Sequence, residues 1–200
     1  MSFILGQKIG MTRIYDKAHQ AVPVTVVLAL PNKVVQVKSV HSDGYTALQV
    51  GAHDANRHMT KPLTGHTKAA KMAPKLLREY RVDKIDHSVG DSFTVEQFKA
   101  DDVVKVTGTT KGKGFAGVIK RHGFHRGPET HGSDHHRAPG SIGAQQPQRV
   151  VKGKKMPGHM GHVISTMIKV KVVDVIKDDN LILLRGALPG PNKGWLTIKN

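Results

Sequence analysis

The chain has 200 residues and carries 31 Lys and Arg against 15 Asp and Glu, a formal charge of +16 at neutral pH. That length suits one sizeable domain, or a domain with an appendage, and the positive surplus draws the molecule to polyanions: nucleic acid first, an anionic membrane surface second. The absence of cysteine excludes disulfides and thiolate metal sites.

The opening residues, Met1 to Lys8, lack the charged start and long apolar stretch of a secretory signal, so a cytoplasmic location is expected. The longest apolar run, from Val22 to Leu30, is interrupted by Pro23 and Thr25 and is too short to span a bilayer. No amphipathic helix with aromatic anchors offers a membrane-surface alternative. Val22 to Leu30, Lys33 to Val40 and Tyr45 to Val50 read instead as short strands, punctuated by Pro31-Asn32 and Asp43-Gly44. In the third, Thr46, Leu48 and Val50 alternate with Tyr45, Ala47 and Gln49, the pattern of a half-buried strand. Two short stretches are candidate helices. Pro74 to Tyr80 would place proline in a first turn, and Thr94-Val95-Glu96-Gln97 has capping-box spacing.

Residues 111–162 differ in kind. They hold 10 Lys and Arg against only Glu129 and Asp134, together with 11 Gly and 4 Pro. From Lys120 to Gly161 the only large apolar residues are Phe124, Ile142, Val150, Val151, Met156 and Met160. Burial of so few side chains does not offset the entropy of ordering the backbone, so the segment is expected not to fold by itself. Beyond it, Ile168, Val170 and Val172 alternate with Lys169 and Lys171, and the phase then shifts to Val173 and Val175, which predicts a bulge. Asp178-Asp179-Asn180 reads as a turn and Leu181 to Leu184 as a further, more buried strand. The expected fold is mostly β with little helix. A β-barrel-like globular domain, closed or nearly so, would be built from 1–110 and 163–200, interrupted by a long, basic, Gly-rich looped extension over 111–162. No internal repeat is present.

Three features of that segment invite functional readings. Gly112 to Gly117 matches G-x-G-x-x-G, but no second strand with an acidic residue follows, as a dinucleotide fold requires. Glycines that let backbone approach phosphates closely are the better account. Seven histidines, His122, His125, His131, His135, His136, His159 and His162, could suggest zinc, yet no H-E-x-x-H pair exists and carboxylates are scarce. They are expected to hydrogen-bond to phosphate and base edges, with no metal, no cofactor and no catalytic residue. The third feature is basic: Lys111, Lys113, Lys120, Arg121, Arg126, Arg137, Arg149, Lys152, Lys154 and Lys155 alternate with Gly and Pro, as cations awaiting neutralisation by a partner would. Few aromatics argues against a stacking platform for single strands and favours folded RNA read by shape and phosphate position.

The same residues carry a family likeness. Ile4-Leu5-Gly6-Gln7-Lys8-Ile9-Gly10-Met11-Thr12, Pro23-Val24-Thr25-Val26-Val27, Asp43-Gly44-Tyr45, Val106 to Phe115, His136 to Gly143 and Lys152 to Gly161, in that order, resemble the universal L-three family of large-subunit ribosomal proteins in its bacterial form. The resemblance implies a structural, non-enzymatic constituent of the large subunit. It implies a barrel on the outer side of that subunit and an extension running through ribosomal RNA towards the peptidyl-transferase centre. It implies direct binding to large-subunit RNA, contact with neighbouring large-subunit proteins, action early in assembly, and neither membrane nor small-molecule substrate. A 52-residue segment folded back on itself reaches at most about 85 Å, ample for that path. Gln145 and Gln146 fall at the implied tip. Some members carry a methylated glutamine there, and Gln146 is its nearest counterpart. Two departures stand out: His122-Gly123-Phe124 replaces a common Trp-Asn-Phe, and Ala144 to Arg149 is about one residue short. Two other classes remain open from the residues alone. A free RNA chaperone or nucleoid protein would explain the charge, and a metallohydrolase would use the histidine cluster.

Overall fold

Phe3-Ile4-Leu5 is apolar on every side, and the fold buries all of it. The computed structural model describes residues 2–16, 18–54 and 59–200. In chain order its elements are β1 (Phe3–Tyr15), β2 (Ala21–Leu28), β3 (Asn32–Lys38), α1 (Val40–Asp43), β4 (Ala47–Asp54), α2 (Lys61–Thr67), β5 (Pro74–Arg81), β6 (Ser92–Phe93), β7 (Val103–Thr109), β8 (Phe115–Ala116), α3 (Val118–His122), β9 (Gly158–His159), β10 (Ile164–Ile176), β11 (Leu181–Arg185) and β12 (Trp195–Lys199). The chain divides into two compact units, Met1–Thr109 with Ile164–Asn200, and Thr110–Val163.

The first unit contains a closed antiparallel barrel in the order β1-β12-β7-β10-β11-β2, and a four-stranded sheet in the order β5-β4-β3-β6. Closure leaves the barrel without free edges. Ile4, Val27, Val106, Val172, Ile182 and Ile198 are fully buried inside it. Phe3 and Leu5, alternating with Ile4, face the other way and pack with Val34, Leu48 and Val50 of the four-stranded sheet. One end of β1 is therefore core on both faces, each large side chain there contributing roughly 1.5–3 kcal/mol.

β2 pairs with β1 only from Gln7 onward, so the N–H and C=O groups of Phe3 and Leu5 need other partners on that side. Two side-chain amides supply them. Leu5 N donates to Asn32 Oδ1 at 2.7 Å, and Asn32 Nδ2 donates to Leu5 O at 3.1 Å and Leu30 O at 2.7 Å. Gln97 does the same for Phe3, accepting from its N–H at 3.2 Å and donating to its carbonyl at 3.0 Å.

The strand expectations meet the structure with shifted ends. β2 stops at Leu28, β3 stops at Lys38 because Ser39 caps α1, and β4 begins at Ala47 and runs on to Asp54. The bulge after Val172 is present: Val172 faces Leu184 while Asp174 faces Leu183, leaving Val173 extra. Asp178 to Asn180 turn the chain into β11. The helix expected over Pro74 to Tyr80 is wrong. That stretch is β5, an edge strand paired with β4, with Leu76 and Tyr80 packed against the sheet's core. Proline is tolerated as the first residue of an edge strand, where no ladder N–H is missed. The capping box at Thr94 does not form either. Thr94 makes no side-chain cap, Val95–Gln97 is a single 3₁₀ turn, and the Gln97 amide donates to the Thr94 and Phe3 carbonyls while accepting from Phe3 N.

Candidate nucleic-acid interface

The chain leaves the barrel at Thr109 and returns at Ile164, and these two residues face each other in the β7–β10 ladder. The second unit, Thr110–Val163, continues as a narrow antiparallel ribbon. Thr110 N donates to Val163 O at 2.9 Å, Lys113 N to Met160 O at 2.8 Å, and Met160 N to Gly114 O at 2.9 Å. β8 and β9 then pair, Phe115 with His159 and Ala116 with Gly158. At Gly161, with φ +78°, an added Cβ would sit 2.1 Å from the Lys111 carbonyl oxygen, so the ribbon's closeness depends on the missing side chain. The short helix α3 follows Gly117, but the strands beside it form an antiparallel ribbon rather than the parallel pair of a dinucleotide fold.

Past the ribbon, side-chain-to-backbone bonds replace a core. Ala116 and Val118 are its buried apolar residues. Arg121 is half-buried over Gly158 and donates from Nη1 to the Met156 carbonyl at 2.7 Å, and His122 Nε2 lies 3.1 Å from the same oxygen. Further out, Gly127 N donates to His136 O, and His136 Nδ1 sits 2.9 Å from the Pro128 carbonyl. Two of the histidines expected on phosphate thus hold the segment's own backbone. Among the described residues no group of three or more His, Asp or Glu is gathered in a way that could hold a metal.

Nine of the ten cations singled out in the sequence are exposed; Arg121 is the exception. Arg126 pairs with Glu129 at 2.8 Å, an exposed contact worth about 0–1 kcal/mol and readily exchanged for a phosphate. The other eight, Lys111, Lys113, Lys120, Arg137, Arg149, Lys152, Lys154 and Lys155, make no ion pair or side-chain hydrogen bond among the described residues. His122, Phe124, His125, Arg126, His135 and Lys155 border an open concavity of about 530 Å³. Residues 141–150 are exposed throughout, and the Gln145 and Gln146 amides are unengaged among the described residues. The sequence reading missed one feature. Phe115 is 79% exposed, a bare ring two residues from Lys113, and only the pairing of β8 with β9 reveals which way it turns.

Fold and charge define a class: a β-barrel protein with a second, strongly basic unit that buries few apolar residues. Comparison with known proteins gives the family. The model of the family described as ribosomal protein L3 matches residues 78–181. The large ribosomal subunit protein uL3 of Syntrophomonas wolfei is 48% identical over 200 positions, covering 98% of this chain and 94% of that protein. The chain belongs to the ribosomal protein L3 family, a structural component of the ribosome and not an enzyme.

Proposed function

We propose that this chain, by its family a structural constituent of the large ribosomal subunit, binds large-subunit RNA directly through the Thr110–Val163 unit and supports early subunit assembly in the cytoplasm. The observation that carries the reading is the set of eight exposed cations with no acidic partner among the described residues. Their mutual repulsion is relieved by phosphate, and the arm's sparse apolar content means that its contacts come from a partner. Lys111, Lys113, Lys120, Arg126, Arg137, Arg149, Lys152, Lys154 and Lys155 supply the charge. Arg121 holds the Met156 turn and meets RNA only at its exposed face. Gln145 and Gln146 form the tip, which approaches the peptidyl-transferase centre, where neutral amides position nucleotides without adding charge. The exposed Gln146 amide is open to methylation, which mass spectrometry of the protein from ribosomes would read as a 14-dalton gain. Neighbouring large-subunit proteins complete its contacts.

Salt dependence tests the RNA contact. Replacing Lys152, Lys154 and Lys155 by Ala should weaken binding to large-subunit RNA. It should also flatten the plot of log affinity against log salt by roughly 0.7–0.9 per lost phosphate contact. An unchanged slope would mean that these lysines face solvent and that the arm's charge is not what binds.

A further inference from the structure

The stretch from Asp83 to Asp102 reverses the sign of the molecule. These 20 residues hold six of the 15 Asp and Glu but only two of the 31 Lys and Arg. Most of those acids are engaged within the chain: Asp91 accepts from Ser88 N, Glu96 pairs with Lys177, Asp101 with Lys171, and Asp102 accepts from Lys99 N. Asp83 and Asp86 are exposed and have no ion pair or hydrogen bond among the described residues.

These two carboxylates, with Lys84 between them, border a half-enclosed groove of about 300 Å³ whose floor is Phe3, Leu48, Tyr80 and Phe93. Aromatic contacts pack the floor: the Phe3 and Tyr80 rings stack with centroids 4.5 Å apart and His87 meets Phe93 edge-on at 4.8 Å. Burial pushes the Tyr80 phenol above its ordinary range, with the Asp83 charge adding to the effect. Ile85 and Val89, in the same β5–β6 connection as the rim residues, are 41% and 42% exposed.

We propose that this groove docks a basic segment of a neighbouring ribosomal protein, an apolar side chain entering it while flanking Lys or Arg pair with Asp83 and Asp86. Charge complementarity chooses the occupant. A phosphate backbone would meet two unpaired carboxylates against the single Lys84 at this rim, a net repulsion. A cationic, apolar-tipped peptide satisfies both the floor and the rim, and the rim charges fix its register. The inference rests on the chain's place in the ribosome but not on which residues of the arm touch RNA.

A photoreactive benzoylphenylalanine in place of Ile85 tests it in purified large subunits, with a second probe in place of Val89 should the first disturb folding. Circular dichroism of the free variants checks folding, and sedimentation of the subunits in high salt reports incorporation separately from the docking result. After irradiation, peptide mapping should find a crosslink to another ribosomal protein, at a peptide in which Lys or Arg flanks an apolar residue. Adding Asp83→Lys and Asp86→Lys should lower the yield of that crosslink by about tenfold or more. A crosslink to RNA, a crosslink to a second copy, no crosslink in incorporated subunits, or a yield indifferent to charge reversal would each overturn the proposal.

Discussion

Asn32 shows how much a single polar residue decides in this fold. It is fully buried, yet three hydrogen bonds engage its amide, and two of them serve Leu5 where β2 has already ended. In the sequence it stands beside Pro31 and reads as turn punctuation, which is true of the backbone and silent about the side chain. That role depends on a contact 27 residues away, which no local pattern encodes. Asn32→Leu removes the partners of two buried backbone groups of Leu5, each costing about 1–3 kcal/mol, and of the partly buried Leu30 carbonyl. The expected result is a weakened barrel, its Tm lowered by about 5–25 °C. A thermal melt within 2 °C of the parent would show that the amide does not hold this seam.

At the scale of elements, legibility followed the locality of the signal. Thr46, Leu48 and Val50 alternate, and the strand is there; the phase shift after Val172 forecast a bulge, and the register slips at that point. Pro74 to Tyr80 misled because Leu76, Leu77, Arg78 and Glu79 are good helix formers behind a first-turn proline. Pairing with β4 overrode that preference and turned Leu76 and Tyr80 to one face. The 13-residue β1 was not foreseen as a strand, since Gly6 and Gly10 break its apolar pattern and its start is buried on both faces. For the candidate interface, the basic residues were visible as composition, whereas the ribbon that leads to them was not, because its bonds join residues some fifty apart. That ribbon yields a prediction of its own. Gly161→Ala would force a Cβ against the Lys111 carbonyl at a left-handed φ, a strain of roughly 1–3 kcal/mol. Hydrogen exchange should quicken at the amides of Lys113 and Met160 while those of β7 and β12 keep their protection. Equal exchange at Lys113 and Met160 in both proteins would show that the ribbon absorbs the side chain without opening.

For the whole molecule, the decisive fact is where the second unit is inserted. Strands from both sides of it interleave around the barrel, β12 between β1 and β7, and β10 beside β7, so neither flank can close the barrel alone. Thr109 and Ile164 nevertheless face each other across one ladder, and a hairpin turn is all that the barrel needs between them. Excising 110–163 and joining Thr109 to Ile164 through Asn-Gly, which favours the twist of a two-residue hairpin, should therefore leave the first unit folded. Its core residues, Ile4, Val106, Val172, Ile182 and Ile198 among them, all lie outside the excised segment. The barrel should melt cooperatively within a few degrees of the full chain, because what is removed contributes few buried apolar side chains. The excision also takes away ten Lys and Arg against two acids, halving the formal charge from +16 to +8. Affinity for large-subunit RNA should fall with it, along with most of its salt dependence. A barrel that no longer folds would make the arm part of the core's stability. Full RNA affinity after excision would move the RNA-binding surface onto the barrel.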